Sequence, residues 1–246
     1  MLYSGKFRKK GEQRMNTEKH VIEISLESLE PEVNQFFQRL SGIDATQVPE
    51  KYGDTVIRAK NAIKDNLKLF IVYKCDDIQS MSDEEVVLEN GMSYKGKMPA
   101  KILKDADQVV THVVTLKGFK ELAEQEEDFL AQYFMDTWGS AYVESTQAWF
   151  GKKLLKELKE EDKSRTHVWS PGQYGFELTN QKTIFELLHP EEIGCTLSKT
   201  LMMVPVKSAS GIIGIIDPNV KDLLLPCDFC SLGAKCPASK RGCAQL

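Results

Sequence analysis

The sequence predicts an α+β domain built on a mixed or mainly antiparallel sheet. Three observations carry this. Strand-period and helix-period segments alternate without the strict βαβ rhythm of a parallel sheet. Glu89-Asn90-Gly91 lies between two short apolar runs, a hairpin signal. Gln108–Leu116 is a β-branched run long enough to lie centrally in a sheet.

Taken in chain order, Val21, Ile22, Ile24 and Leu26 mark a strand between His20 and Glu27. Glu30-Pro31 opens a helix carrying Val33, Phe36, Phe37 and Leu40, which Gly42 ends as a C-cap. A second helix spans about Glu50 to Leu67, with Val56, Ile57, Ala59, Ile63 and Leu67 at helical spacing. Leu69–Cys75 is a strand. Val86–Leu88 and Met92–Tyr94 should pair through a type I′ turn, because Asn-Gly supplies two positive φ angles. Lys101–Ala106 reads as a short helix. The longest helical pattern runs from Phe119 to about Glu160. Its aromatic stripe of Phe129, Tyr133, Phe134, Trp138, Ala141, Tyr142 and Trp149 is assigned to core packing. Lys152–Lys163 forms a solvated, charged helix end. Thr183–His189 is a helix stopped by Pro190, with Thr179 or Asn180 as N-cap. Leu201–Val206 and Gly211–Ile216 are strands joined through Lys207-Ser-Ala-Ser.

A chain of 246 residues can form one large domain or two small ones, and 41% hydrophobic with 28% charged residues is ordinary for a globular protein. A net charge of −4 and a pI near 5.7 argue against nucleic acid or an anionic membrane as partner. The basic opening (Lys6, Arg8, Lys9, Lys10, Arg14) leads into polar Gly11-Glu-Gln rather than an apolar run, so residues 1–19 read as a flexible terminus and not a signal peptide. No apolar stretch is long enough to cross a bilayer, and a cytoplasmic location is expected.

Four of the six cysteines, Cys227, Cys230, Cys236 and Cys243, fall in one Gly- and Pro-bearing tail, residues 221–246. Such a segment buries too little apolar surface to order itself, and thiolates converging on an ion or cluster would order it. The spacing Cys-x₂-Cys-x₅-Cys-x₆-Cys matches no single zinc class, since only its first pair forms a CxxC knuckle. A [4Fe–4S] cluster tolerates irregular spacing better, and zinc stands as the alternative. Phe229, Leu232 and Pro237 would shield the group, and Lys235, Lys240 and Arg241 would offset its charge. Cys75 and Cys195 sit in apolar surroundings as core residues.

No GxGxxG, no GxxxxGK[ST] and no CxxxCxxC occurs, and His20, His112, His167 and His189 are scattered, which leaves hydrolases of standard type without support. Ser170-Pro171-Gly172-Gln173-Tyr174-Gly175 is a candidate ligand turn, where Pro and Gly bare the backbone for close approach. Lys207-Ser208-Ala209-Ser210-Gly211 is a second segment of small residues, either a plain turn or a ligand-facing one.

These segments stand in a familiar order. Ser170–Gly175, Gln181 to Leu188, Ile193-Gly-Cys-Thr-Leu-Ser, Leu201-Met-Met-Val-Pro and Lys207-Ser-Ala-Ser-Gly-Ile-Ile-Gly resemble the reactivation domain of cobalamin-dependent methionine synthase, above all its stand-alone forms in anaerobic bacteria. Thr115–Gly118 and Asp136–Glu144 look like the same family, and the resemblance spans roughly residues 20–216. It implies a C-shaped unit around a twisted antiparallel sheet that binds S-adenosylmethionine and docks over a corrinoid-binding domain. There an electron from a flavodoxin or ferredoxin and a methyl group from S-adenosylmethionine convert cob(II)alamin to methylcobalamin. The redox task favours an iron–sulfur cluster in the tail. Residue by residue, Pro171 and Gly172 match the cofactor turn, within Ser170, Gln173 and Tyr174. Val168 stands at the family's arginine position, and Arg165 precedes it by three residues. Glu144 falls near the acidic position, and Lys207, Ser208 and Ser210 form the second segment. A reading of another class is a non-catalytic corrinoid-protein-binding or electron-carrier protein with a structural metal tail.

Overall fold

The computed structural model describes residues 14–30 and 32–231; Pro31, Leu232, Lys235, Cys236, Pro237, Lys240, Arg241 and Cys243 lie outside the described residues. The elements in order are β1 (His20–Ile24), α1 (Glu32–Ser41), α2 (Gly53–Asn66), β2 (Lys68–Met81), β3 (Glu85–Leu88), β4 (Ser93–Lys95), α3 (Lys97–Ile102), β5 (Ala106–Lys117), α4 (Phe119–Glu124), α5 (Phe129–Glu160), β6 (Ser164–Arg165), α6 (Gln181–Leu188), β7 (Thr196–Leu197), β8 (Met203–Val204) and β9 (Ser208–Ile216). Seven strands form one sheet in the order β4-β3-β2-β5-β9-β6, with β1 on β2, and each pairing is antiparallel. The expected α+β class with an antiparallel sheet is what the chain adopts.

β-branched β5 lies centrally between β2 and β9, and Val109, Val110, Val113 and Val114 are fully buried. Because side chains alternate across a strand, the two faces feed two cores. Ile71, Tyr73, Val110, Val114 and Ile213 pack under α1, α2 and α5; Val72, Val109, Val113 and Ile212 pack under α3, α6 and the β3–β4 hairpin. On the first side Phe37 of α1 stacks on Trp138 of α5 with ring centroids 3.7 Å apart, and the Trp138 indole donates to the Val56 carbonyl of α2. One side chain thus ties three helices together. Burial of an aromatic of this size contributes about 2–3 kcal/mol.

Several elements depart from the sequence reading. Phe119–Glu160 is two helices, because Asp128 caps a new start by accepting from the Leu130 amide. The aromatic stripe is only partly core: Phe134, Trp138 and Tyr142 are buried, whereas Phe129 is 84% and Tyr133 50% exposed. The short helix is Lys97–Ile102, and Ala106 already belongs to β5. At the hairpin, Gly91 has φ +83° but Asn90 is not left-handed. The Leu88 carbonyl accepts from the Gly91 amide and the Leu88 amide donates to Met92, a type I turn with a glycine bulge rather than type I′. Leu201–Val206 does not form a hairpin with β9. β8 pairs with β7, a cis peptide precedes Pro205, and Ser208–Ser210 are the first residues of β9, in register with Thr115–Val113. Among the described residues no helix is long and apolar enough to cross a membrane.

Candidate functional site

After β6 the chain runs along the outer edge of β9. The Thr166 amide donates to the Gly214 carbonyl, and Trp169 and Ile212 exchange both backbone bonds, at 3.1 and 2.9 Å. The chain then turns away as Ser170–Phe176. Gly172 (φ +90°), Tyr174 (φ +48°) and Gly175 (φ +86°) are left-handed, three such residues among four. For Tyr174 that conformation costs about 1 kcal/mol or more, and it persists only where surroundings enforce it. Here they do. The Gly172 amide donates to the Phe176 carbonyl at 2.6 Å, Gln173 to Ser170 and Phe176 to Gln173, while the Tyr174 ring stands edge-on to Trp169 with centroids 6.4 Å apart. Pro171 is buried, and Gly172 and Gln173 face solvent. The turn is a rigid loop of exposed main chain on an apolar base of Trp169 and Phe176.

α5 passes on the other side of β9. Ser140, Glu144 and Gln147 lie on one helical face. Ser140 accepts from the Lys207 ammonium at 2.9 Å, and Gln147 reaches the His112 ring at 3.4 Å. His112 lies opposite Gly211 in the sheet, and a Cβ on Gly211 would stand 2.9 Å from the His112 ring, 3.0 Å from the Trp169 carbonyl and 3.0 Å from Val168. Exposed Glu144 therefore sits on α5 between these two points of contact with the β9 region.

The remaining expected residues do not converge. Lys207 is 11% exposed and pairs with Asp136 at 2.7 Å as well as with Ser140, so its charge is spent within the fold. Ser208 and Ser210 point to the opposite face of the sheet. Ser208 bonds Thr115 and the Pro205 carbonyl, and Ser210 donates to Gln181 of α6. Strand alternation explains the split, and it follows once 208–210 belongs to a strand rather than a turn. Arg165 does not reach the turn either. Its guanidinium is buried, donating to the Gly151 carbonyl at 2.8 Å and the Thr166 carbonyl at 3.0 Å, and burial pulls its pKa below the ordinary arginine value. Val168 at the adjacent position packs on the core.

Cys227 lies within a short 3₁₀ turn, Pro226–Asp228, and Cys230 two residues past it, at the end of the strap that leaves β9, both half-buried. Among the described residues no group of three or more potential metal ligands forms. Cys75 and Cys195 are core residues as expected: burial, first of all, pushes their thiols up to about 12 and about 11. Trp169 was not read from the sequence, although a large aromatic immediately before Ser170-Pro-Gly was the available signal.

No family model matches the chain, and no curated protein sequence matches it. A solved structure does: the crystal structure of the MetH reactivation domain bound to AdoHcy, with a TM-score of 0.61 and 16% identity over 83% of this chain and 80% of that one. The likeness shows that the chain has the fold of that reactivation domain.

Proposed function

We propose that this chain is an activation factor for a corrinoid protein, binding S-adenosylmethionine at the Ser170–Tyr174 turn while the tail thiols hold an iron–sulfur cluster. The observation that carries this reading is the strained, well-braced turn at the edge of β9, set in a fold whose solved counterpart binds AdoHcy.

The turn suits a polar, elongated ligand. Gly172 presents no side chain, so main-chain atoms can approach closely, and a Cβ there would already contact Leu178 at 3.4 Å. In this reading the Glu144 carboxylate would accept from the ligand's ammonium group, and buried Trp169 and Phe176 give the turn an apolar base. When bound, S-adenosylmethionine supplies an electrophilic methyl group; the protein's part is to orient it toward the partner's cobalt. Cys227, Cys230, Cys236 and Cys243 would hold the cluster, whose contribution is a single electron, with zinc as the structural alternative. A corrinoid-binding protein is the partner, and a flavodoxin or ferredoxin the electron source.

With Arg165 turned into the core and Val168 at the expected arginine position, neither residue would clamp the ligand's carboxylate. A charge-assisted pair of that kind contributes about 1.5–3 kcal/mol, so affinity should be lower by tenfold or more than in a clamped site. The same observation favours a second reading, a corrinoid-protein-binding or electron-carrier protein that has lost the methyl donor. Titration calorimetry with S-adenosylmethionine and with AdoHcy separates the two. Saturable heat that Gly172→Val abolishes supports the activation factor, and silence with both ligands leaves the carrier.

A further inference from the structure

Two aromatic side chains that a core should have claimed are left in solvent. Phe129 opens α5 84% exposed, and Tyr133, one turn on, is 50% exposed. Helix formation does not account for Phe129, since the N-cap bond runs from the Leu130 amide to the Asp128 carboxylate. The Arg58 guanidinium of α2 pairs with Asp128 at 3.2 Å, which brings the start of α5 against the outward face of α2. On that face Asp54, Ile57, Arg58, Asn61, Ala62 and Asp65 line an open groove of about 540 Å³, and Ile57 is itself exposed. Tyr133 touches Phe134, and Phe134 touches Tyr52 at the head of α2, with ring centroids 5.2 and 5.9 Å apart. The exposed apolar groups of α2 and α5 thus belong to one surface, and an apolar surface bordered by charge is the mark of a protein contact. The border has one sign. Asp54, Asp65 and Glu127 make no ion pair among the described residues, whereas Arg58 in the groove is neutralised by Asp128. Bare carboxylates repel an anionic membrane or a nucleic acid and call for cations set around an apolar centre.

We propose that this α2–α5 face is a docking groove for a basic amphipathic helix of a partner protein. The partner's apolar stripe covers Ile57, Phe129 and Tyr133, and its lysines or arginines meet Asp54, Asp65 and Glu127. From Asp54 to Asp65 the groove follows α2 for about 17 Å, the length of three turns of a docked helix. The aromatic anchors supply most of the affinity, and the carboxylates steer the encounter and fix the register. The inference uses neither the Ser170–Gly175 turn nor the tail thiols, so it is independent of the proposed function.

The probe is a fluorescein-labelled helical peptide with leucines along one face and lysines elsewhere, titrated by anisotropy against the full chain. Saturable one-to-one binding is expected, with hydrogen-exchange protection confined to residues 53–66 and 128–134. Ile57→Ser combined with Phe129→Ser should weaken binding by about tenfold or more, the loss expected for two apolar anchors. Both side chains are exposed, so the fold should be unchanged, which circular dichroism checks. Asp54→Asn combined with Asp65→Asn should weaken binding about threefold and flatten its salt dependence. If a peptide of the same composition in scrambled order binds equally well, or the apolar variant binds like the parent chain, the attraction is one of net charge and the groove is not a docking site. If the full chain sediments as a dimer that Phe129→Ser dissociates, a second copy covers this face and the assignment to a partner's helix falls.

Discussion

At the residue scale, His112 gives the most direct physical test. It sits wholly buried in β5 among Tyr73, Phe150 and Gln147, and burial pushes its pKa down to about 4. The unfolded chain titrates at its ordinary value near 6.5, so between pH 6.5 and 4 the unfolded state takes up a proton that the folded state refuses. Stability is full above pH 6.5 and falls as pH drops, by up to about 3 kcal/mol at the acid end. Urea unfolding from pH 4.5 to 7.5 should show that slope, and His112→Gln should flatten it. A second residue test concerns strain. Tyr174→Gly relieves a left-handed tyrosine and should change stability by less than about 1 kcal/mol, gain of backbone freedom and lost ring contact opposing the relief. The same change should loosen the turn and weaken S-adenosylmethionine binding by calorimetry, a separation of stability from affinity that a purely structural turn would not show. Cysteine labelling gives a third. With burial holding Cys75 and Cys195 near 12 and 11, iodoacetamide on chelated protein should modify the tail thiols and spare these two until the fold opens, as mass mapping would reveal.

At the element scale, Asn180 shows how local signals are reassigned by tertiary contacts. It stands at the N-cap of α6, but its side chain makes no cap hydrogen bond. It clamps the Lys95 backbone instead, accepting from the amide at 2.8 Å and donating to the carbonyl at 3.0 Å. Asn180→Ala should therefore cost about 1–2 kcal/mol, seen by thermal or urea unfolding, because the buried Asn180 side chain gives up two hydrogen bonds to the Lys95 main chain. Much of the fold was legible for a simple reason: β5, α1, α2 and α6 have apolar periods set by their own burial. The elements that were misread depend on partners far away in sequence. Ser208–Ser210 look like a turn from their small size, yet Val113–Thr115 across the sheet draw them into β9. Lys207 belongs to a segment that could face a ligand by sequence, until Asp136 and Ser140 from α5 occupy it. The Ser170–Gly175 turn was legible because Pro and Gly announce it locally. Its anchoring on Trp169 was not, since a single aromatic carries no period.

At the scale of the whole molecule, two cores cover opposite faces of one antiparallel sheet, and the Ser170–Phe176 turn leaves that sheet just past Trp169, the residue that pairs with Ile212 at the outer edge of β9. The turn occupies one side of that edge, α5 with Glu144 the other, and the strap delivers Cys227 and Cys230 to the base of the turn. The arrangement brings the Tyr174 ring of the turn and the Phe229 ring of the strap onto one buried indole. The account stands or falls on one reaction. Protein purified anaerobically is mixed with a cob(II)alamin-loaded corrinoid protein, a low-potential reductant and methyl-labelled S-adenosylmethionine. The account predicts growth of the methylcobalamin spectrum with label in the cobalt-bound methyl, at a rate that rises with the amount of this chain. A spectrum that stays that of cob(II)alamin at every protein ratio would contradict it.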